Sequence, residues 1–234
     1  ISSNGKEKQI VCNYKRVSSL TSLLGLLQGV ILHPEDKVLV NGQSSFRRRF
    51  LDLQIAQVDP LYVYFLRRYS RAMKARNYLL RQRTHKAIDV WEYEMAKAAA
   101  YVVEQRQIAV EDLSRKAFES FSCFNLEQSE FSLHYQSPFT GQSLSKEELQ
   151  SYYQEQYRKK RAREEALGYT LVGPHRDDLI LNLCGKSVRL YASEGQKICA
   201  VIALRLAEWR RMYELLEEAP LMGIDDMSGA LDAK

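Results

Sequence analysis

Two adjacent carboxylates, Asp225 and Asp226, close the apolar run Leu221-Met222-Gly223-Ile224. A short strand ending in such a pair delivers both acids to the crevice at the carboxyl edge of a sheet, where open α/β folds bind their ligands. That placement suits phosphoryl transfer: Asp225 can hold a magnesium ion through water, and Asp226 can orient an attacking water. An acid pair after a strand is also a common surface feature, so a partner motif is required. The run Ser193-Glu194-Gly195-Gln196 stands directly ahead of an apolar-striped segment. Ser193 is placed as a helix N-cap with Gln196 three residues on, which is the capping-box pattern. The same arrangement makes an anion site. The helix start offers unused N–H groups and the positive end of its dipole, Ser193 adds a hydroxyl, and Gly195 lets a ligand come close to the backbone. Both uses can hold together.

A third grouping is electrostatic. From Arg47 to Lys86 there are eleven basic residues against two acids, Asp52 and Asp59, and from Ala87 to Tyr157 twelve acids against five bases. A net charge of +5 over 234 residues hides this asymmetry. Blocks of this kind imply a polyanion-facing surface beside an acidic, solvated one. Arg67, Arg71, Lys74 and Arg81 recur at helical spacing, and together with Arg47 they form the candidate DNA-binding set, because phosphate neutralisation needs clustered cations. A solvated helix face, or pairing with the acidic helices that follow, accounts for the same charges. No motif that reads bases is visible.

The elements that must carry these groups follow from pattern. Lys8 to Tyr14 reads as a strand, Ser18 to Leu27 as a short helix, and Val30-Ile31-Leu32 as a buried strand running into a turn at Pro34. Ser44 to Gln57 is helical in pattern, and Asp59-Pro60 opens the next helix. From Leu61 to about Arg115 there is neither Gly nor Pro. Apolar residues recur there every three or four positions, which predicts at least two packed helices with a break near Thr84 to Asp89. Phe131 to Tyr135 alternates as a short strand, Ser137 to Gly141 reads as a turn, and Ser145 opens a charged helix to Leu167 with a capping box. Beyond Gly168 the texture becomes strand (Tyr169 to Val172), hairpin (Asp178 to Leu183 and Ser187 to Tyr191 around Cys184-Gly185-Lys186), amphipathic helix (Gln196 to Glu217) and a short buried strand (Leu221 to Ile224). The helix carries Ile198, Ile202, Leu206, Trp209, Met212 and Leu216 on one face.

Composition excludes other classes. Hydrophobic residues make up 45% and charged residues 27% of the chain, which rules out general disorder, and no apolar run is long enough to span a membrane. Cys12, Cys123, Cys184 and Cys199 are widely spaced, with neither zinc-finger nor disulfide-framework spacing, and a reducing cytoplasm suits them. The four histidines are scattered, and each reads as a surface or hydrogen-bonded residue.

Ser-x-Gly-Gln before a helix and an acid pair after the following strand resemble the signature and Walker B motifs of ABC-type ATPases. Thr170-Leu171-Val172-Gly173-Pro174-His175-Arg176-Asp177-Asp178-Leu179, Ala192-Ser193-Glu194-Gly195-Gln196 and Asp225-Asp226 look like the RecF DNA replication and repair family. So do Pro34-Glu35-Asp36, Arg47-Arg48-Arg49-Phe50-Leu51-Asp52 and Asp59-Pro60-Leu61-Tyr62, so the similarity spans essentially the whole chain. The resemblance implies an α/β, P-loop NTPase-like head of the ABC type with an inserted, mainly helical lobe. The expected division is 1–35 and 168–234 for the head and 36–167 for the lobe. It further implies ATP and Mg2+ as cofactors, DNA as a partner, an ATP-dependent homodimer, and the recombination mediator proteins RecR and RecO as helpers at single-strand gaps. In that frame Asp225 is the magnesium-side acid and Asp226 the catalytic residue that orients water. Ser193, Gly195 and Gln196 contact the γ-phosphate of ATP held by the other subunit.

The sequence also departs from the family. No G-x-x-x-x-G-K-[ST] occurs, and Gly185-Lys186-Ser187 lies in an expected hairpin turn. The family's phosphate-binding loop precedes the segment where this chain starts. The simplest expectation is therefore an N-terminally truncated chain that does not hydrolyse ATP alone. Gly223 within the strand and Gly229 after it weaken the match locally. The rival reading is a non-enzymatic helical DNA- or protein-binding module in which the acid pair is incidental.

Overall fold

The computed structural model describes residues 2–3, 8–12, 15–17, 27–124, 130–139 and 144–225, with side chains from residue 27 onward. Three short antiparallel strands, β1 (Ser2–Ser3), β2 (Lys8–Cys12) and β3 (Lys15–Val17), form a meander. The helix expected from Ser18 falls, up to residue 26, outside the described residues. β4 (Gly29–Leu32) follows, and His33, held extended by the proline after it, caps a 3-10 turn over Pro34–Lys37. Then come α1 (Val38–Asn41), α2 (Ser44–Ala56), α3 (Pro60–Arg81) and α4 (Ile88–Ser122). Asp59 caps α3 by accepting the Leu61 N–H at 2.8 Å, with Pro60 in the first turn where no N–H is needed. The break between α3 and α4 lies where expected, at a loop in which Arg83 and Ala87 take positive φ.

β5 (Phe131–Gln136) leads to α5 (Lys146–Leu167), opened by the Ser145/Glu148 capping box and closed by Gly168 at φ 76°. β6 (Asp178–Leu183), β7 (Lys186–Ser187), α6 (Val188–Tyr191), α7 (Glu194–Leu216) and β8 (Leu221–Ile224) complete the chain's described part. β5, β6 and β7 form an antiparallel sheet. Its β5–β6 ladder joins residues on either side of position 168. β4 and β8 pair in parallel, in register from Gly29 with Leu221 to Leu32 with Ile224.

The 35-residue α4 is the spine, packing on α3, α5, α7 and β5. Its buried side is rich in small residues, Ala96, Ala98, Ala99 and Ala100, which let neighbouring helices approach, while Met95, Leu113 and Phe121 fill the space between them. Truncating the fully buried Leu113 to Ala is expected to cost about 2–5 kcal/mol.

Four expectations need correction. Tyr169 to Val172 is not a strand. The Thr170 N–H donates to Asn77 Oδ1 of α3 at 2.9 Å and the Leu171 N–H to Glu164 Oε1 of α5 at 2.6 Å, so side chains do what a partner strand would do. The second arm of the hairpin stops at Ser187, and Val188–Tyr191 is a helical turn. Ile198 and Met212 are buried as expected, but the rest of the deepest face of α7 is Ala200, Val201, Ala203, Leu204 and Ala207, whereas Ile202, Leu206, Trp209 and Leu216 are half-buried. α4 lies close against that face, and close approach selects small side chains over bulky ones. β8 is not buried among the described residues, since Leu221 and Ile224 are 60% and 68% exposed.

Candidate functional site

Ser193 takes extended backbone and caps α7, its Oγ accepting the Gln196 N–H at 3.2 Å while Gln196 Oε1 accepts the Ser193 N–H at 2.9 Å. Lys197 N–H bonds the Ser193 carbonyl at 2.9 Å. This leaves the N–H groups of Glu194 and Gly195 as the ones the helix start does not use. The Ser193 hydroxyl has an acceptor lone pair in the cap and still has its proton to donate. A Cβ built on Gly195 would meet nothing closer than Ser193 Oγ at 4.0 Å. The fold does not require glycine there, so the bare backbone is available to something outside. Ser193, Glu194 and Gly195 are all exposed.

At the other site, Asp225 follows β8 and its N–H donates to the Leu32 carbonyl at 2.9 Å, extending the parallel ladder. Its Oδ2 lies 3.0 Å from His33 Nε2. His33 Nδ1 accepts the Glu35 N–H at 3.1 Å, which in the neutral ring puts the proton on Nε2 and makes it the donor to Asp225. The His33 N–H donates in turn to Asp36 Oδ2, and Arg205 of α7 grips both Asp36 oxygens at 2.6 and 3.0 Å. A chain of contacts from Arg205 through Asp36 and His33 thus orients Asp225. Asp226 lies outside the described residues. An exposed strand-end carboxylate with one oxygen held by a ring N–H fits a magnesium ion, which needs only one or two protein carboxylates besides phosphate and water. Among the described residues no cluster of three metal-ligating side chains occurs.

Arg205, which is linked to Asp225 through Asp36 and His33, stands twelve positions along α7 from Ser193, about 18 Å of helix.

The two further motif runs turn out to interlock with each other. Arg47, 7% exposed, grips Asp178 with Nε and Nη2 at 2.8 and 2.7 Å, and Arg48 Nη1 donates to the Asp177 carbonyl at 2.8 Å. Asp52 receives Arg106 at 2.7 Å and the Tyr62 hydroxyl at 2.6 Å, and Arg106 Nη1 reaches the Pro174 carbonyl at 2.7 Å. The Tyr135 hydroxyl donates to Asp177 at 2.6 Å. Burial pushes the Asp177 carboxyl up to about 6 against that bond and the nearby Arg106. Burial likewise drives His175 down to about 4, with Arg176, Arg48 and Arg106 adding to the effect, so its ring is neutral near pH 7. His175 Nδ1 meets the Tyr69 hydroxyl at 2.5 Å.

Of the five cations expected at DNA, Arg67, Arg71, Lys74 and Arg81 are exposed and share one stripe of α3, whereas Arg47 is taken up by Asp178 and has no face for a phosphate. The basic block is less basic at the surface than its count suggests. Arg76 is fully buried between Glu92 of α4 and Glu164 of α5, and Arg68 pairs with Glu94. Sequence reasoning missed His33 as the residue that holds Asp225. The available signal was its place one residue beyond a strand, at the same edge as the acid pair.

No family model matches the sequence. Curated relatives do match. The chain is 42% identical over 228 residues to the DNA replication and repair protein RecF of Protochlamydia amoebophila (strain UWE25), a match covering 97% of this chain and 63% of the relative. It is 31% identical over 239 residues to the protein of that description from Oceanobacillus iheyensis, covering 99% and 64%. Among solved structures, the recombination mediator protein RecF-ATP in the RecFOR pathway superposes with a TM-score of 0.89 at 24% identity, covering 97% of this chain and 62% of that one. The RecF-ATPrS structure gives 0.87 at 25% identity, covering 94% and 60%. The fold is therefore part of an ABC-type, P-loop NTPase-like ATPase head with a large helical component. The chain spans less than two thirds of the length of the curated relatives it matches. Over nearly its whole length it is similar to the RecF DNA replication and repair proteins.

Proposed function

We propose that this chain carries the signature and acid-pair halves of an ATPase site that closes only between two subunits, and that ATP-controlled dimerisation on DNA supports recombinase loading at single-strand gaps. The observation that carries the reading is the exposed Ser193 cap at the start of α7, twelve positions and about 18 Å of helix from Arg205, whose contacts through Asp36 and His33 end on Asp225. Setting the serine cap of one subunit against the acid edge of another brings both groups to one γ-phosphate.

In the closed site Ser193 donates its hydroxyl proton to a terminal phosphate oxygen without leaving its cap. The Glu194 and Gly195 N–H groups point the positive end of the α7 dipole at the same group, and Gly195 lets the phosphate approach. Gln196 keeps the cap in place. Asp225, oriented by His33, would hold the magnesium ion, which supplies charge neutralisation on the phosphates. Asp226 orients the attacking water. ATP then acts as the link between subunits and hydrolysis as their release.

Residues 1–35 and 168–234 serve as the head and 36–167 as the lobe that meets DNA and the mediator proteins RecR and RecO. DNA phosphates meet the Arg67, Arg71, Lys74 and Arg81 stripe. A reducing cytoplasm suits this role and the wide spacing of the cysteines.

The test uses full-length protein. Asp226→Asn is expected to keep ATP binding and the dimer but lose turnover, and Ser193→Arg to keep ATP binding by the monomer but lose the ATP-induced dimer. Normal dimers of Ser193→Arg in light scattering would refute the shared site.

A further inference from the structure

Between α2 and α3 lies a cleft of about 460 Å³ that belongs to neither the serine cap nor the acid edge. It is lined by the aliphatic side chains of Leu53, Val63, Leu66 and Met73 and by the cations Arg48, Arg49 and Arg67, the last also on the exposed stripe of α3. The volume falls in the roughly 300–1,000 Å³ range of sites that take a compact apolar body, here one or two large side chains. Met73 adds an adaptable wall.

The charge of Arg48 and Arg49 is not balanced from within. Asp52, the acid in the cleft wall, is already engaged by Arg106 and by Tyr62. Arg49 is exposed and has no ion-pair or hydrogen-bond partner among the described residues. Arg48 is half-buried and donates to a carbonyl, with no carboxylate at ion-pair distance among the described residues. Burial and the charge of Arg106 both disfavour its charge and outweigh Asp178, Asp177 and Asp52, which favour it. His175, in the same wall, is neutral near pH 7 and offsets nothing.

We infer that this cleft docks a short acidic segment of a protein partner, anchored by one or two bulky apolar side chains on the aliphatic lining and held by carboxylates on Arg48 and Arg49. Guanidinium groups suit that task because they grip carboxylates through two parallel bonds. A strand of nucleic acid fits less well. Base binding uses open aromatic faces, whereas the two rings in the wall are bonded to each other and Tyr69 is 3% exposed. The proposal does not rest on nucleotide binding or on dimerisation.

The experiment selects a random displayed peptide library against the full-length protein without nucleotide. Enriched peptides are then synthesised with a fluorophore and titrated by anisotropy. Arg49→Glu and Leu53→Asp change exposed positions, and circular dichroism verifies that both variants are folded. The expected result is enrichment of Asp and Glu around Leu, Ile or Phe, with binding at least about tenfold weaker in each variant and weakened by added salt. Enriched peptides without that composition, or affinities unchanged in both variants, would overturn the proposal. So would variants that lose binding of labelled oligothymidylate while keeping the peptides, which would make the cleft a nucleic-acid surface.

Discussion

Gly173 sits at φ 133°, and a Cβ built there would lie 2.2 Å from the Tyr69 hydroxyl, the group bonded to His175. Gly185 also has positive φ, at 73°, but a Cβ there meets nothing within 4 Å. The pair separates two costs of a Gly→Ala change. Gly185→Ala bears only the left-handed backbone penalty of about 1–2 kcal/mol. Gly173→Ala bears a backbone cost of about 1–3 kcal/mol in a region that is nearly glycine-only, and also displaces a buried hydroxyl from its hydrogen bond, about 1–3 kcal/mol more. The expected totals are thus about 1–2 and about 2–6 kcal/mol, read from urea unfolding midpoints at constant slope. Tyr69→Phe removes the oxygen that the new Cβ strikes, leaving contacts of 3.2 Å to Tyr69 Cζ and His175 Nδ1. The double variant Gly173→Ala/Tyr69→Phe is therefore expected to be less destabilised than the sum of its parts by about 1–3 kcal/mol. Equal costs at the two glycines, or strict additivity with Tyr69→Phe, would refute the reasoning.

Further outcomes follow from the same contacts. Arg47→Ala leaves the carboxylate of Asp178 unpaired in a largely buried site and is expected to cost about 3–5 kcal/mol, whereas Arg71→Ala on the exposed stripe should stay within about 0.5 kcal/mol while lowering DNA affinity and its salt slope. Calorimetric stability and an anisotropy titration against duplex DNA check both. In acid, Asp177 and His175 oppose each other. The Asp177 carboxyl, raised to about 6, contributes stability that is present below its unfolded value and lost as pH rises through about 6, while His175, lowered to about 4, contributes stability present above about 6.5 and lost as pH falls through about 4. Removing the first with Asp177→Asn should therefore make the protein lose stability more steeply than the parent from pH 7 to 5, and equal slopes in urea melts would contradict the assignment. His33→Ala removes the donor that orients Asp225 and is expected to weaken magnesium-dependent nucleotide binding in the full-length protein while leaving magnesium-free binding unchanged.

The features legible in the sequence were those whose partners lie within a turn or two. Ser145 with Glu148, Ser193 with Gln196, and Asp59 before Pro60 all fix helix starts through contacts two or three residues away. What stayed hidden depends on distant partners. An apolar alternation at Tyr169 to Val172 does not reveal that its N–H groups bond Asn77 and Glu164 instead of a strand. A count of basic residues does not reveal that Arg76 is enclosed by Glu92 and Glu164, or that Arg47 belongs to Asp178. Bulk misled on α7, where the face against α4 is lined by alanines because the two helices lie close. The serine cap and the acid pair were readable as separate chemistries, but the hold of His33 on Asp225 and its link through Asp36 to Arg205 required the folded chain.

The most direct measurement is the distance between Ser193 Oγ and the Asp225 carboxylate in a solved nucleotide-bound dimer of full-length subunits, taken within each subunit and across the interface. The account predicts a within-subunit separation well beyond the reach of one phosphate and a cross-interface gap that a terminal phosphate with its magnesium shell fills. A dimer in which the cross-interface distance is the longer one, or in which Ser193 and Gly195 face away from the nucleotide, would contradict it.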